Sequence, residues 1–70
     1  MSIDFVAQRL VIGDVVLMRL PDEEREVEAT VVREIERTDF SVCATLRVPG
    51  REDFVKEWPL GERVTVVRGP

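Results

Sequence analysis

The alternation that decides the fold lies in residues 40–48, FSVCATLRV. Every second residue is apolar and the residues between them are polar or small, which is the period of a strand that buries one face. The stretch therefore predicts a β-strand with one face in the core. The predicted inward set is Phe40, Val42, Ala44, Leu46 and Val48.

Similar segments lie on both sides of this strand, separated by turn residues. Further strands are predicted at residues 15–20, 26–37, 54–58 and 62–68, and turns at Gly13-Asp14, Thr38-Asp39, residues 49–53 and residues 59–61. A helix over residues 23–37 is the alternative to the strand at 26–37, and we favour the strand because Val, Thr and Ile are β-branched. The Val31-Val32 doublet beside Arg33 interrupts the alternation there, which indicates a bulge or a bend. Residues 3–12 are apolar but irregular, and either an extended strand or a short helical turn suits them.

The order of these elements resembles that of the Src-homology-3-like small β-barrels, the group that includes Tudor and KOW-type modules. The resemblance lies in Gly13-Asp14 before an apolar strand, a charged loop after Pro21, a long bent strand, two hairpins, and Trp58-Pro59-Leu60-Gly61 before the last strand. It is a resemblance of layout and covers Leu10 to Arg68. It implies an all-β fold, a single small five-stranded barrel formed by residues 1–70, with an extended N-terminal lead-in segment.

The composition argues against catalysis. The chain of 70 residues has no His and no Tyr, and Cys43 is its one cysteine. Without an imidazole base, the usual nucleophilic triads are excluded. Glu34 and Glu36 project at period two from the solvent face of a strand, and nothing near Cys43 favours a thiolate. We expect a non-catalytic protein that holds no metal and no cofactor.

The net charge and the N-terminal residues restrict the class of partner and the cellular compartment that we expect. Ten basic and fourteen acidic residues give a net charge of −4, so nucleic acid is not the expected partner. The N-terminus lacks a basic segment followed by an apolar stretch, and no apolar run has membrane-spanning length. A lone cysteine fits a reducing compartment. We expect a cytoplasmic protein that does not enter the membrane; nine arginines to one lysine are typical of a GC-rich bacterial genome.

The aromatic residues carry the positive indication of binding. Phe54 and Trp58 share one face of a short strand with Lys56 between them. Facing outward, they form a partner-binding patch, to which we add Met18; facing inward, they belong to the core. Phe40 and Phe54 are expected in the core, and for Trp58 both positions stay open.

Surplus apolar residues indicate that the chain associates. A five-stranded barrel has one interior, yet residues 15–20 carry apolar side chains on both faces. Either the N-terminal segment, residues 3–10, or a second copy of the chain would cover this surplus, and a homodimer is the simplest solution. A protein partner is the other expected binder. The surplus residues are Val16, Met18, Leu20 and Val67.

An anion site is the alternative prediction, for a cyclic dinucleotide or RNA. Arg33 and Arg37, followed by an Asp-x-Ser sequence, resemble in part the motifs of cyclic-dinucleotide-binding PilZ domains. In that family the two motifs are well separated, whereas here they abut, and Ala44 stands where the family has glycine. Arg47 and Arg51 complete the predicted anion-binding set. The competing interpretation for Arg33 and Arg37 is that they pair with glutamates on neighbouring strands.

Overall fold

The computed structural model describes residues 2–67, which fold into a single antiparallel sheet. Its strands are β1 (Ser2–Val6), β2 (Val15–Met18), β3 (Val27–Val31), β4 (Glu36–Arg37), β5 (Ser41–Arg47), β6 (Phe54–Pro59) and β7 (Arg63–Val67), and a 3₁₀ helix spans Ala7–Arg9. The all-β prediction is therefore confirmed. Arg68, the predicted end of the last strand, lies outside the described residues.

The sheet order is β1-β7-β2-β3-β5, with β4 and β6 also paired to β5. β3 and β4 share one edge of β5, since β6 occupies the other edge from Ser41 to Leu46. β2 lies inside the sheet, between β3 and β7. Within the described range β1 and β6 do not pair with each other, so closure into the expected five-stranded barrel is not observed.

The core lies on the face of the sheet that the alternation of β5 predicted. Val42 and Leu46 are fully buried, and Ala44 and Val48 are nearly so. Neighbouring strands add their own inward residues because paired residues in an antiparallel sheet share a face. These further core residues are Val16, Ala29, Val31, Ile35, Trp58, Val64 and Val66.

Phe40 is an exception, and its predicted place in the core is wrong. Its side chain is 83% exposed. The Thr38 hydroxyl oxygen accepts the backbone N–H groups of Phe40 and Ser41, at 3.1 and 2.9 Å. This turn sets the backbone of Phe40 before β5 begins, so the alternation of the strand does not extend to it.

The predicted bend in the third strand is confirmed as a slip in register. Val31 pairs with Leu46, while Glu36 pairs with Cys43. The five residue steps from Val31 to Glu36 thus lie opposite only three steps, from Leu46 to Cys43, on β5. The two additional residues are accommodated at the corner between β3 and β4. The exposed Arg33 lies at this corner.

The N-terminal segment forms both structures that its sequence left open: a strand, β1, and then the 3₁₀ helix. Ala7 donates its N–H to the Glu62 carbonyl at 2.9 Å, and the Gln8 side-chain carbonyl accepts the Gly61 N–H at 3.0 Å. These bonds hold the helix against the turn that precedes β7. Among residues 2–67, no helix is both long and apolar enough to cross a membrane.

The predicted Gly13-Asp14 turn is confirmed. It directly precedes β2, and hydrogen bonds hold it to the end of β3. Gly13 has a φ of +96°, a conformation that other residues rarely adopt. Its N–H donates to the Val31 carbonyl, and the Val31 N–H donates to the Asp14 carbonyl, each at 2.8 Å. The Asp14 carboxylate, 7% exposed as a residue, accepts the Val11 N–H at 3.0 Å. Asp14 is thus the one polar residue buried among residues 2–67, and it organises the turn.

Replacing Asp14 with alanine is expected to lower the free energy of unfolding by about 1–2 kcal/mol, because the part-buried hydrogen bond from the Val11 N–H to the Asp14 carboxylate is lost. Urea denaturation followed by circular dichroism measures the change. The matched control is Asp39→Ala, at an exposed turn residue, with an expected change below about 0.5 kcal/mol. Equal effects of the two substitutions would show that the Asp14 carboxylate does not stabilise the turn.

Candidate functional site

A groove of about 500 Å³ opens between β6 and the ends of β2 and β7. Its volume lies within the usual range for ligand pockets. Phe54 and Trp58 contribute from β6, and Met18 and Leu20 from β2 and the loop that follows it. The groove thus lies along the edge of β6, where the sheet is open.

All four residues of the predicted partner-binding patch line this one groove: Met18, Phe54, Lys56 and Trp58. Trp58 is 7% exposed and belongs to the core, with an edge on the groove. Phe54 and Met18 are half-buried and pack against the same core. The alternation of β6 places Phe54, Lys56 and Trp58 on one face, opposite Leu46, Ala44 and Val42 of β5.

The rim of the groove is basic. Arg19, Lys56 and Arg63 line it, all three are exposed, and none of the described residues that line the groove is acidic. In the part of the chain that the structure describes, none of these three cations has a carboxylate within ion-pair distance. A chain with a net charge of −4 therefore has one groove where positive charge is left without a counter-charge.

Arg51 explains why the nearby carboxylates do not neutralise this rim. Its Nη2 donates to both carboxylate oxygens of Asp22, at 2.8 and 2.9 Å, and to Glu23 Oε1 at 3.0 Å. Hydrogen bonding to Arg51 is the main reason that the pKa of Asp22 lies below its ordinary value. Asp22 is charged at neutral pH in any case, and its lowered pKa means that the pair persists into more acidic solution before protonation weakens it. The loop after Pro21 is thereby held on Arg51 at the end of the groove.

The four arginines of the predicted anion site do not converge. Arg47 forms a bidentate pair with Asp53, with both bonds at 2.9 Å, and this hydrogen bonding lowers the pKa of Asp53. Arg51 pairs with carboxylates, as described above. Arg37 Nε donates to the Gln8 carbonyl at 2.9 Å, and Arg33 lies beside Glu34 and Glu36 in a separate shallow hollow. The charge of Arg33 also helps to lower the pKa of Asp53, so Arg33 lies near the Arg47–Asp53 pair, whereas Arg37 and Arg51 have other partners.

Sequence reasoning missed Arg19 and Arg63 as groove residues. The signal lies in the pairing of β2 with β7: Val15 pairs with Val67 and Leu17 with Thr65, so the same register continued by two residues brings Arg19 towards Arg63. A prediction that β2 pairs with β7 would have placed Arg19 close to Arg63. Strand pairing between the first and last parts of a chain is not encoded in local alternation.

The surplus apolar residues mostly face the core. Val16 is 1% exposed, and Met18 and Leu20 pack against the core cluster. Val67 is half-buried on the other face. Part of the surplus is thus accommodated within one copy of the chain, and Met18 and Leu20 remain accessible from the groove.

Chemistry-bearing side chains are dispersed. Among residues 2–67, no group of three or more His, Cys, Asp or Glu side chains lies close enough together to hold a metal ion. Cys43 is half-buried on the outer face of β5 and forms no disulfide.

Compared with protein-family models, curated proteins and solved structures, the chain shows no match.

Proposed function

We propose that the chain is a non-catalytic binding module whose groove receives a segment of a partner protein, one that is both acidic and apolar. The observation that carries the proposal is the groove itself: its floor is aromatic and aliphatic, and among residues 2–67 its three cations have no ion-pair partner and no carboxylate lines it. An apolar floor with a basic rim suits a ligand that is both apolar and acidic.

The charge pattern supports an acidic ligand. Fourteen acidic residues are present in the chain, yet none lines the groove in the described structure. Cations gathered in one place without a counter-charge do not help the chain to fold, since like charges repel one another. Carboxylates supplied by a partner would relieve this repulsion and would fix the orientation of the partner.

The aromatic floor supports a protein partner. Trp and other aromatic side chains in well-packed pockets supply most of the binding energy at many protein interfaces. Trp58 is held rigidly because most of its surface is buried in the core. A partner side chain that packs on Phe54 and on the accessible edge of Trp58 would find a floor that is already formed.

We also propose that the sheet is an open form of the Src-homology-3-like layout. β2, β3, β5 and β6 are successive antiparallel neighbours, and β7 returns to pair with β2. β1 adds a further strand beyond β7. The single unpaired cysteine is in keeping with action in the reducing cytoplasm of a bacterium.

A fluorescence titration tests the binding function, since Trp58 is the only tryptophan and lines the groove. The probes are a panel of short capped peptides built from Leu, Val, Thr and Glu in different orders, with Lys replacing Glu in the control panel. We expect members of the acidic panel to bind about tenfold more tightly than their Lys counterparts at low salt. The difference should shrink as salt approaches about 0.15 M and beyond, because screening weakens exposed charge pairs.

Charge-reversal variants assign the binding to the groove. Lys56→Glu and Arg63→Glu are each expected to weaken acidic-peptide binding by about tenfold, whereas Arg9→Glu, at an exposed residue away from the groove, leaves it unchanged. Failure of every acidic peptide to bind, or equal effects of the three variants, would overturn the proposal.

Two other occupants are outcomes of the same experiment. Light scattering of the free protein over a dilution series gives its mass, and a dimer mass that falls as peptide is added would assign the groove to a second copy. A cyclic dinucleotide or short RNA is titrated in parallel. Binding of these that is lost in Arg33→Glu but kept in Lys56→Glu would favour the anion site instead.

A further inference from the structure

β6 borders the groove with a free backbone edge. It pairs with β5 along its whole length, from Pro59 opposite Ser41 to Phe54 opposite Leu46. No other described strand pairs with β6. In a strand paired on one side, about half of the N–H and C=O groups point away from the neighbour and stay available to another strand.

The side chains along this edge repeat every second residue. Phe54, Lys56 and Trp58 all line the groove, so a cation lies between two aromatic residues on one face. A strand laid beside β6 would place its own alternate side chains directly opposite these three, about 4.5–5.5 Å away between Cβ atoms.

We propose that the partner segment adds to β6 as an extended strand, with an acidic residue opposite Lys56 and apolar residues opposite Phe54 and Trp58. This rests on the proposed function and specifies how the partner binds. The inward face of the segment then has the order apolar, acidic, apolar at alternate positions. That order is the same in both directions, so it holds for parallel and antiparallel addition alike.

Lys56 makes the edge selective. A lysine on an exposed edge strand discourages pairing with apolar strands, because the strand would bury its charge. A strand with a carboxylate opposite Lys56 gives this charge a partner instead. Glu57 does not compete for Lys56, since it lies on the opposite face of β6 and accepts a hydrogen bond from Ser41 Oγ at 2.7 Å. Pro59 has no N–H to donate, which ends the usable edge at Trp58.

Peptide order is the first test. The in-phase peptide contains Leu-Thr-Glu-Thr-Val and the out-of-phase peptide, of the same composition, Thr-Leu-Glu-Val-Thr. We expect the in-phase peptide to bind about tenfold more tightly to the full chain. Methylating its backbone nitrogens at alternate residues removes the N–H donors of one edge at a time. One alternate set should cost about tenfold in affinity, and the other set should have little effect, because an added strand donates to β6 along one edge only.

Amide hydrogen exchange is the second test, and it measures the protection of the backbone amides of β6. At saturating in-phase peptide, those amides of residues 54–58 that do not donate to β5 should exchange at least about tenfold more slowly than in the free protein. A control peptide methylated on its bonding edge should not slow them.

The outcomes separate the two proposals. If acidic peptides bind but the order of residues and the site of methylation make no difference, strand addition is overturned and groove binding stands. If no peptide of the panel binds, both fall. If the β6 amides of the free protein are already protected at high concentration and lose this protection on dilution, the added strand comes from a second copy, which overturns the partner-segment proposal.

Discussion

Replacing Trp58 with alanine is expected to lower the free energy of unfolding by about 3–5 kcal/mol. Trp58 is the largest side chain in the core, and it pairs with the fully buried Val42 of β5. A chain of this size is stabilised by only about 4–10 kcal/mol in total, so the substitution should remove a large share of its stability. Urea denaturation followed by far-ultraviolet circular dichroism measures the change without relying on the lost fluorophore.

Phe40→Ala is the matched control, because it also removes an aromatic ring, but one that is 83% exposed. We expect the control to change stability by less than about 0.5 kcal/mol. Trp58→Phe, which retains an aromatic ring, should fall between the two. If Trp58→Ala were as stable as Phe40→Ala, the placement of Trp58 in the core would be wrong.

Leu46→Ala is the second substitution with a large expected effect, about 2–5 kcal/mol. Leu46 is fully buried and lies where β5 has neighbours on both edges, opposite Val31 of β3 and Phe54 of β6. The cavity left by alanine would remove contacts to both strands, and neither can move inward without breaking its own pairing.

Leu60→Ala provides the comparison, since the same side chain is 43% exposed in the turn after β6. It should cost less than Leu46→Ala, about 1 kcal/mol, because nearly half of the surface that it removes is already hydrated. Differential scanning calorimetry of both variants gives the unfolding temperatures. A drop for Leu60→Ala as large as that for Leu46→Ala would contradict the assignment of the core to the inner face of β5.

The sequence pattern correctly predicted those features of the fold that depend on neighbouring residues. The alternation in β5, the Gly13-Asp14 turn and the bend near Arg33 each follow from neighbouring residues, and each is present. Phe40 was misplaced because a side-chain hydrogen bond from the turn, invisible to periodicity, sets its backbone.

The groove could be predicted only in part. Phe54, Lys56 and Trp58 share a strand, so their common face follows from the period of two. Arg19 and Arg63 are far apart in sequence and reach the groove through the pairing of β2 with β7. Such long-range pairing depends on the whole sheet, and alternation within one segment does not specify it.

The corner between β3 and β4 sets a rule for how the length of this chain can vary. The slip there is an even number of residues, so Ile35 points inward just as Val31 does. Inserting or deleting a single residue at the corner would reverse the phase and turn Glu34 and Glu36 towards the interior. Gains or losses in pairs would keep the phase, and evolutionary drift in length at this position should therefore proceed in steps of two.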